Sequence, residues 1–279
     1  MDILMRGERV LNRLILRISA AFLTGVLALL ATSLYLSERY LELERRLFIA
    51  GDLQGAFEAV RTAGRLDPFD PEPLQGQSYI LQLQDRNVEA AAALRGAIER
   101  DPNNYLLYLL MGNLQVGELE DLDAAEESYR KVLDLNPNAY TARTTLADVL
   151  LRKGELEAAK TEYERLRDQR KISYVGLYDL GRIYVRTGEP REGYKAIKIA
   201  MRRASAGIER LREPLRTERQ NLVVSMNLAL VDALVVQGRY AQAREVLAES
   251  SSEQAPALLR LLDTDPEAYR EQVVNGDFY

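Results

Sequence analysis

The sequence predicts an all-α protein in which helix pairs stack into a solenoid behind one apolar N-terminal helix. One observation is a set of prolines spaced 34 and 35 residues apart, each directly after Asp or Asn: Pro68, Pro102 and Pro137. A second is the alanine that stands twelve residues before each proline: Ala56, Ala90 and Ala125. Proline cannot continue a helix, and small residues let helices cross closely. A repeat of this length therefore predicts stacked helix pairs.

The third observation is an uncharged apolar run over residues 18–37, between Arg17 and Glu38. A helix of this length rises about 30 Å, which matches the hydrocarbon core of a bilayer. Tyr35 and Tyr40 stand at its far end, where interfacial aromatic residues are enriched. The run therefore predicts a transmembrane helix over 18–37, preceded by a short N-terminal segment over 1–17.

Two alternatives to a membrane anchor stay open. A cleaved signal peptide usually has a shorter apolar region, of about 7–15 residues, and a small-x-small cleavage site. No convincing Ala-x-Ala motif precedes the first repeat. The other alternative is a helix buried in a globular domain.

The basic residues around the run predict its orientation. Four arginines and the amino terminus precede it, and three arginines follow it among glutamates. Basic residues favour the cytoplasmic side, so the repeats are expected outside the cytoplasm. Most basic residues are arginine, which is typical of a GC-rich bacterial genome. We expect a single-pass protein of the bacterial inner membrane.

Six segments carry the repeat pattern: 37–70, 71–104, 105–139, 140–173, 174–207 and 224–257. The clearest, 105–139, contains Tyr108, Gly112, Ala125, Tyr129 and Pro137. This pattern resembles the tetratricopeptide repeat (TPR) family. The resemblance implies a superhelical solenoid of about six helix pairs over 38–257 and a function in protein binding.

Two further segments complete the predicted organisation. A helical insert is expected at 208–223, where arginines alternate with glutamates; an ion-paired helix face is the first interpretation, and an anion or lipid site is the alternative. Residues 258–279 predict C-terminal capping helices, because Asp265 and Pro266 are typical of a helix start and the last apolar face of a solenoid needs cover. The aromatic end, Phe278 and Tyr279, is a further candidate for contact with a partner.

The resemblance also implies a binding groove, lined by the first helix of each pair. Its predicted partner-binding residues are Tyr79, Leu106, Leu109, Asn113, Thr144, Asp148, Tyr178 and Arg182. No repeat has the lysine that the family's carboxylate-clamp members use, so this mixed apolar and amide surface suits an apolar helix or an extended protein segment. The alternative is that the chain's own C-terminal helices fill part of the groove.

Composition argues against catalysis. The chain has no Cys and no His, so it lacks the commonest nucleophile, general base and metal ligands. Glycine-rich phosphate loops and the serine nucleophile motif are also absent, and no cofactor is expected. Residues 1–36 carry a net +2 and the whole chain −5, so residues 37–279 carry −7. This acidity disfavours nucleic acid as a partner.

These observations lead to a functional hypothesis. We interpret the chain as a membrane-anchored scaffold or adaptor that binds a protein partner through its groove and assists assembly of a membrane or envelope complex. A permanent accessory subunit of one large membrane complex is the alternative. An enzyme with an unrecognised carboxylate site is a remote one.

Overall fold

Helices account for all the regular structure that is described in this chain. The computed structural model describes the backbone of residues 2–276 and the side chains of residues 16–276. Within them the α-helices are α1 Asp2–Ile49, α2 Leu53–Leu66, α3 Glu72–Leu83, α4 Asn87–Arg100, α5 Tyr105–Gly117, α6 Leu122–Leu135, α7 Tyr140–Arg152, α8 Leu156–Asp168, α9 Tyr174–Arg186, α10 Pro190–Ser205, α11 Leu215–Val236, α12 Tyr240–Glu249, α13 Ala255–Thr264 and α14 Pro266–Asn275. The predicted all-helical arrangement of paired helices is confirmed.

The helices form two compact units, Met1–Leu119 and Glu120–Tyr279, called unit 1 and unit 2. In unit 1 each of α1 to α4 packs against the next helix in the chain. In unit 2 the same holds from α6 to α14, and α14 also packs against α9 and α11. Neighbours in sequence are therefore neighbours in space, as stacked helix pairs require.

The periodic prolines end the second helix of a pair. Helices α2, α4 and α6 end at Leu66, Arg100 and Leu135, two residues before each proline. The residue between donates its backbone N–H to the carbonyl of the helix's last turn. These bonds are Asp67 to Ala63 at 2.9 Å, Asp101 to Ala97 at 3.0 Å and Asn136 to Val132 at 2.8 Å. The same arrangement therefore ends the second helix in each of the first three repeats.

Small residues lie where the two helices of a pair cross. Ala56, Ala90 and Ala125 are fully buried. In the fifth repeat Gly193 holds the equivalent place, opposite Gly181. A Cβ added to Gly193 would lie 2.6 Å from the carbonyl oxygen of Gly181. The backbones of α9 and α10 are therefore in direct contact, and a larger residue at either glycine would separate them.

A buried ion pair joins α7 and α8. An Nη1 of Arg143 lies 2.5 Å from Oε2 of Glu162, and both side chains are about nine-tenths enclosed. Arg143 also donates to the carbonyl of Pro137 at 3.0 Å, so the pair is tied to the proline turn. Because removal of either partner would leave a buried charge, the pair constrains how these helices meet.

The N-terminal helix contains both the apolar run and the first helix of the first pair. It is continuous from Asp2 to Ile49, so the predicted boundary between the apolar run and the first repeat lies inside one helix. The hydroxyl of Ser33 donates to the carbonyl of Leu66 at 2.7 Å, and that of Ser37 to the carbonyl of Ala63 at 3.0 Å. The C-terminal part of α1 is therefore the first helix of the first pair.

The apolar part of α1 is exposed. Phe22 and Leu29 each expose 73% of their surface, so this helix is not a buried core helix of the described chain. Two described helices are long and apolar enough to cross a bilayer, and the second is α11. Met226 and Leu234 of α11 are buried in the unit 2 core, which accounts for its hydrophobicity.

The predicted insert and the C-terminal region form helices with their own boundaries. A 3₁₀ turn spans Ile208–Arg210, and α11 then runs unbroken from Leu215 to Val236. The insert at 208–223 therefore leads directly into the first helix of the last pair. Helices α13 and α14 follow in the C-terminal region. The aromatic end at 277–279 and the side chains of the arginines before Arg17 lie outside the described residues.

Replacing Ala90 with leucine should destabilise unit 1. The added side chain would overpack the contact between α4 and its partner helix, which costs about 1–3 kcal/mol. Ala92→Leu is the matched control, because Ala92 is exposed on the same helix and should change stability by about 0.5 kcal/mol or less. Thermal and urea denaturation of both variants measure the difference. Equal stability of the two variants would contradict the crossing described above.

Candidate protein-binding surfaces

Unit 1 contains a groove of about 390 Å³ on the side formed by α1, α3 and α5. We call it the unit 1 groove and define it by its lining residues, Leu41, Glu44, Val60, Glu72, Gln75, Gly76, Ser78, Tyr79, Gln82, Leu94, Leu110 and Asn113. Tyr79 and Asn113, both predicted partner-binding residues, lie in this lining. They come from α3 and α5, so the groove is built by first helices of neighbouring pairs.

The other two predicted residues of unit 1 lie beside the groove. Leu106 is exposed in the first turn of α5, and Leu109 is half-buried; neither lines the groove. Leu110 lines it instead, one turn before Asn113 on α5. Glu44 was also missed by sequence reasoning. Its signal was present, since Glu44 stands three residues after Leu41 and shares that face of α1.

The unit 1 groove is lined by both apolar and polar residues. Tyr79 is 53% exposed, and its ring centroid lies 5.4 Å from that of Phe48 in a tilted arrangement. This contact holds the tyrosine ring while one face stays open. Glu72 forms an ion pair with Arg45 at 2.7 Å. Glu72 is thus compensated by Arg45, and Glu44 is the other carboxyl of the lining.

The predicted residues of unit 2 lie on α7 and α9 and are engaged within the chain. The hydroxyl of Thr144 donates to the carbonyl of Tyr140 at 3.0 Å, and Asp148 accepts a hydrogen bond from the hydroxyl of Tyr163. The guanidinium of Arg182 lies 5.4 Å from the ring centroid of Tyr178. Tyr178 packs against the buried apolar cluster of unit 2. These side chains therefore support the fold of unit 2 as they stand.

The C-terminal helix covers part of the same face. Helix α14 packs against α9 and α11, which are first helices of their pairs. Tyr269 of α14 is almost fully buried, and its hydroxyl donates to Oδ1 of Asp232 on α11 at 3.0 Å. Val273, one turn later, is buried in the same cluster. In unit 2 the chain's own C-terminal helix thus packs against first helices of two pairs.

Buried carboxyl groups lie beneath this helix and beside it. Burial raises the pKa of Asp179 to about 7, against the opposing charge of Arg182, whose Nη1 lies 3.7 Å away. Burial also raises the pKa of Asp232 to about 6, although the hydrogen bond from Tyr269 opposes the shift. Burial raises the pKa of Asp148 as well. A fraction of Asp179 and of Asp232 is therefore uncharged near neutral pH, which reduces the cost of burying these two groups.

No metal site is evident in the described part of the chain. Within residues 16–276, no group of three or more Asp and Glu side chains is arranged to hold a metal ion. The acidic residues that lie close together are mostly paired with arginine or lysine. Lys153, for example, contacts Asp123 at 2.7 Å, Glu155 at 2.9 Å and also Glu126.

Asp179→Asn should flatten the pH dependence of stability. Because the folded-state pKa of Asp179 is raised, its favourable contribution is complete at low pH and is lost as pH rises from about 4 to about 7. The Asp179 carboxyl should therefore lower the melting temperature of the parent, relative to that of the variant, as pH rises from about 4 to about 7. Glu249→Gln, an exposed acid, is the control. An identical slope in parent and Asp179→Asn would contradict the burial argument.

Comparisons with known proteins agree with the repeat assignment. Residues 118–173 match the family model described as "Tetratricopeptide repeat". This segment contains α6, α7 and α8, where the predicted third and fourth repeats meet. No curated protein sequence matches the chain.

Solved structures share the fold at low sequence identity. A TPR protein from Parabacteroides merdae ATCC 43184 is 17% identical and covers 88% of this chain and 94% of its own, with a TM-score of 0.54. YrrB, described as a TPR protein with an unusual peptide-binding site, is 20% identical over 58% of this chain and 83% of its own, with a TM-score of 0.50. PilW, described as a widely conserved type IV pilus biogenesis factor, is 18% identical over 80% of this chain and 98% of its own, also at 0.50. The chain therefore matches the tetratricopeptide-repeat model over residues 118–173 and has an all-helical TPR-like solenoid fold behind a long apolar N-terminal helix.

Proposed function

We propose that this chain is a membrane-anchored adaptor that binds a segment of another protein in the unit 1 groove. The observation that carries the proposal is the exposed Tyr79 in a groove lined mainly by the first helices α1, α3 and α5. Aromatic side chains that present a rigid open face are typical binding hot spots. The description of YrrB as a peptide-binding TPR protein supports the same use of the fold here.

The lining of the groove favours a particular kind of segment. Tyr79 and Leu110 offer apolar contact, while Gln75 and Asn113 offer amide donors and acceptors to an extended backbone. Complementary charge orients and selects partners. Since Glu72 is already paired with Arg45, Glu44 is the carboxyl of the lining that favours a cationic partner, and the fitting segment has apolar side chains and a lysine or arginine.

Unit 2 has a different part in this proposal. Helix α14 covers first-helix surface of α9 and α11, and the buried pair of Tyr269 and Asp232 holds it there. A partner segment would have to displace this packing to use that surface. Unit 1 therefore supplies the binding surface, and unit 2 supplies a closed end. The proposed role is binding and does not include catalysis.

The exposed face of α1 supports the membrane anchor. Large apolar side chains from Leu16 to Leu36 are exposed to solvent, which is unfavourable unless lipid or another protein covers them. A signal sequence would present the same surface. The anchor is favoured because α1 continues without a break into the first repeat, where Ser33 and Ser37 bind the end of α2. We place the anchor in a bacterial inner membrane with the repeats outside the cytoplasm.

Adaptor function at a membrane suits the assembly of envelope complexes. PilW, which shares the fold, is described as a pilus biogenesis factor, and this supports an assembly role for the present chain. Co-purification from native membranes separates that role from the alternative of a permanent accessory subunit. Several substoichiometric clients support the assembly role, whereas one stoichiometric partner supports the subunit role.

Tyr79→Ala should weaken partner binding by about 2 kcal/mol or about 30-fold, because it removes the open aromatic face of the groove. Phe69→Ala is the matched control, since Phe69 is 84% exposed in the loop before α3 and lies outside the groove lining. The measurement is recovery of partners by affinity purification of each variant from native membranes, with a thermal melt to verify the fold. Equal recovery with Tyr79→Ala and the control would contradict the groove proposal.

The anchor has its own test. The full chain should remain in the membrane pellet after alkaline carbonate washing, and a chain that begins at Thr32 should be soluble while it retains Ser33 and Ser37. Amino-terminal sequencing of the pellet protein should find the residues that precede Leu16. Loss of that segment together with release into the supernatant would identify a cleaved signal sequence instead.

A further inference from the structure

The outward face of α10 in unit 2 is strongly basic. Five cationic residues on this helix are exposed, and they are Arg191, Lys195, Lys198, Arg202 and Arg203. The first four recur at intervals of four, three and four residues, which places them on one side of the helix. Glu192 is the helix's single acidic residue. We call these five residues the basic face of α10.

Most of these cations have no acidic partner. Lys195 pairs with Glu192 at 2.7 Å. Lys198 lies 5.8 Å from the ring centroid of Tyr194, whereas Arg202 and Arg203 form no salt bridge within the described residues. Ile199 is exposed between them, beside a surface depression of about 400 Å³ lined by Lys195, Lys198, Ile199, Met201 and Arg202. The basic face therefore combines uncompensated charge with an apolar centre.

The arginines that follow α10 do not form the ion-paired face expected from the sequence. Arg216 donates to the backbone carbonyls of Leu211 at 3.0 Å and Glu209 at 3.2 Å. The guanidinium of Arg219 lies 4.6 Å from the ring centroid of Tyr174. Among the described residues, no salt bridge joins this segment's arginines to its glutamates. Arg216 and Arg219 thus contact backbone carbonyls and an aromatic ring rather than form salt bridges with the segment's glutamates.

We propose that the basic face of α10 docks on the headgroups of anionic phospholipids. A cluster of four to eight Lys and Arg on one helix face is typical of binding to anionic membrane surfaces, and an apolar residue among them adds interfacial contact. The whole chain is acidic, with a net charge of −5, so the positive charge of the basic face distinguishes this surface from the rest of the chain. The proposal rests on the membrane anchor proposed above, because tethering through α1 would raise the effective concentration of lipid at this face.

The test uses the full chain with one introduced cysteine. The sequence has no Cys, so Ser205→Cys at the end of α10 gives a single site for a fluorophore. The labelled chain is reconstituted into vesicles of phosphatidylcholine alone or with added phosphatidylglycerol, and energy transfer to a headgroup acceptor is measured. Transfer should increase with phosphatidylglycerol and fall at high salt. Each cation removed should lower the docked-to-free ratio about fivefold.

The decisive variant is Lys198→Gln/Arg202→Gln/Arg203→Gln. Its matched control is Arg65→Gln/Arg95→Gln/Arg152→Gln, which removes the same charge from exposed arginines on other helices. Loss of the phosphatidylglycerol response in the first and its retention in the control would support the proposal. Equal transfer in both lipids, or an equal loss in both variants, would overturn it. A response to soluble heparin without one to phosphatidylglycerol would also overturn it, in favour of a soluble polyanion.

Failure of the anchor gives a different signature. Flotation of the parent chain with pure phosphatidylcholine vesicles reports on α1 alone, because neutral lipid does not attract the basic face. A chain that fails to float there, yet binds phosphatidylglycerol vesicles through Lys198, Arg202 and Arg203, would refute the anchor and support the docking face.

Discussion

The close crossing of the two helices within each pair is the constraint on which the rest of this structure depends. At these crossings the residue is a buried alanine or glycine, and in α9 and α10 the backbones themselves touch at Gly181 and Gly193. This contact fixes which face of each helix is inside its pair. The remaining helix faces can then line a groove or pack against another helix. In unit 1 they line an open groove, and in unit 2 the first-helix faces of α9 and α11 receive α14.

The two units use polar residues differently because their first-helix faces are covered to different extents. In the unit 1 groove Tyr79, Gln75 and Asn113 remain accessible to another molecule. In unit 2, Asp179 and Asp232 are enclosed, and burial raises the pKa of each. Such enclosed carboxyls are tolerated because protonation or a hydrogen bond such as that from Tyr269 offsets the loss of hydration. The same repeat thus yields an open groove in unit 1 and first-helix faces covered by α14 in unit 2.

Local sequence signals predicted the repeating part of the fold well. The prolines marked helix ends because proline stops a helix whatever surrounds it, and the buried alanines marked crossings because few residues fit there. Gly193 was missed because it replaces the alanine of the other repeats. The extension of α1 through both the apolar run and the first repeat was also missed, since a change of environment along a helix leaves its backbone unchanged.

Features that depend on contacts between distant residues could not be predicted. The position of α14 on α9 and α11 depends on Tyr269 meeting Asp232, 37 residues away in sequence. Charge alternation after α10 predicted ion pairs, but the arginines there contact backbone carbonyls and an aromatic ring instead. Family positions located Tyr79 and Asn113 in the groove. They did not identify Glu44, which gives the groove its charge and hence the expected chemistry of its partner.

Site-specific photo-crosslinking in native membranes tests the central claim most directly. A photoreactive phenylalanine derivative is placed at Tyr79 in the unit 1 groove or, in a second variant, at Val88, which is 72% exposed on α4 outside the lining. The account predicts a discrete protein adduct from position 79, with the crosslink in an apolar segment that carries lysine or arginine, and none from position 88. Adducts from position 88 in the absence of any from position 79 would contradict it.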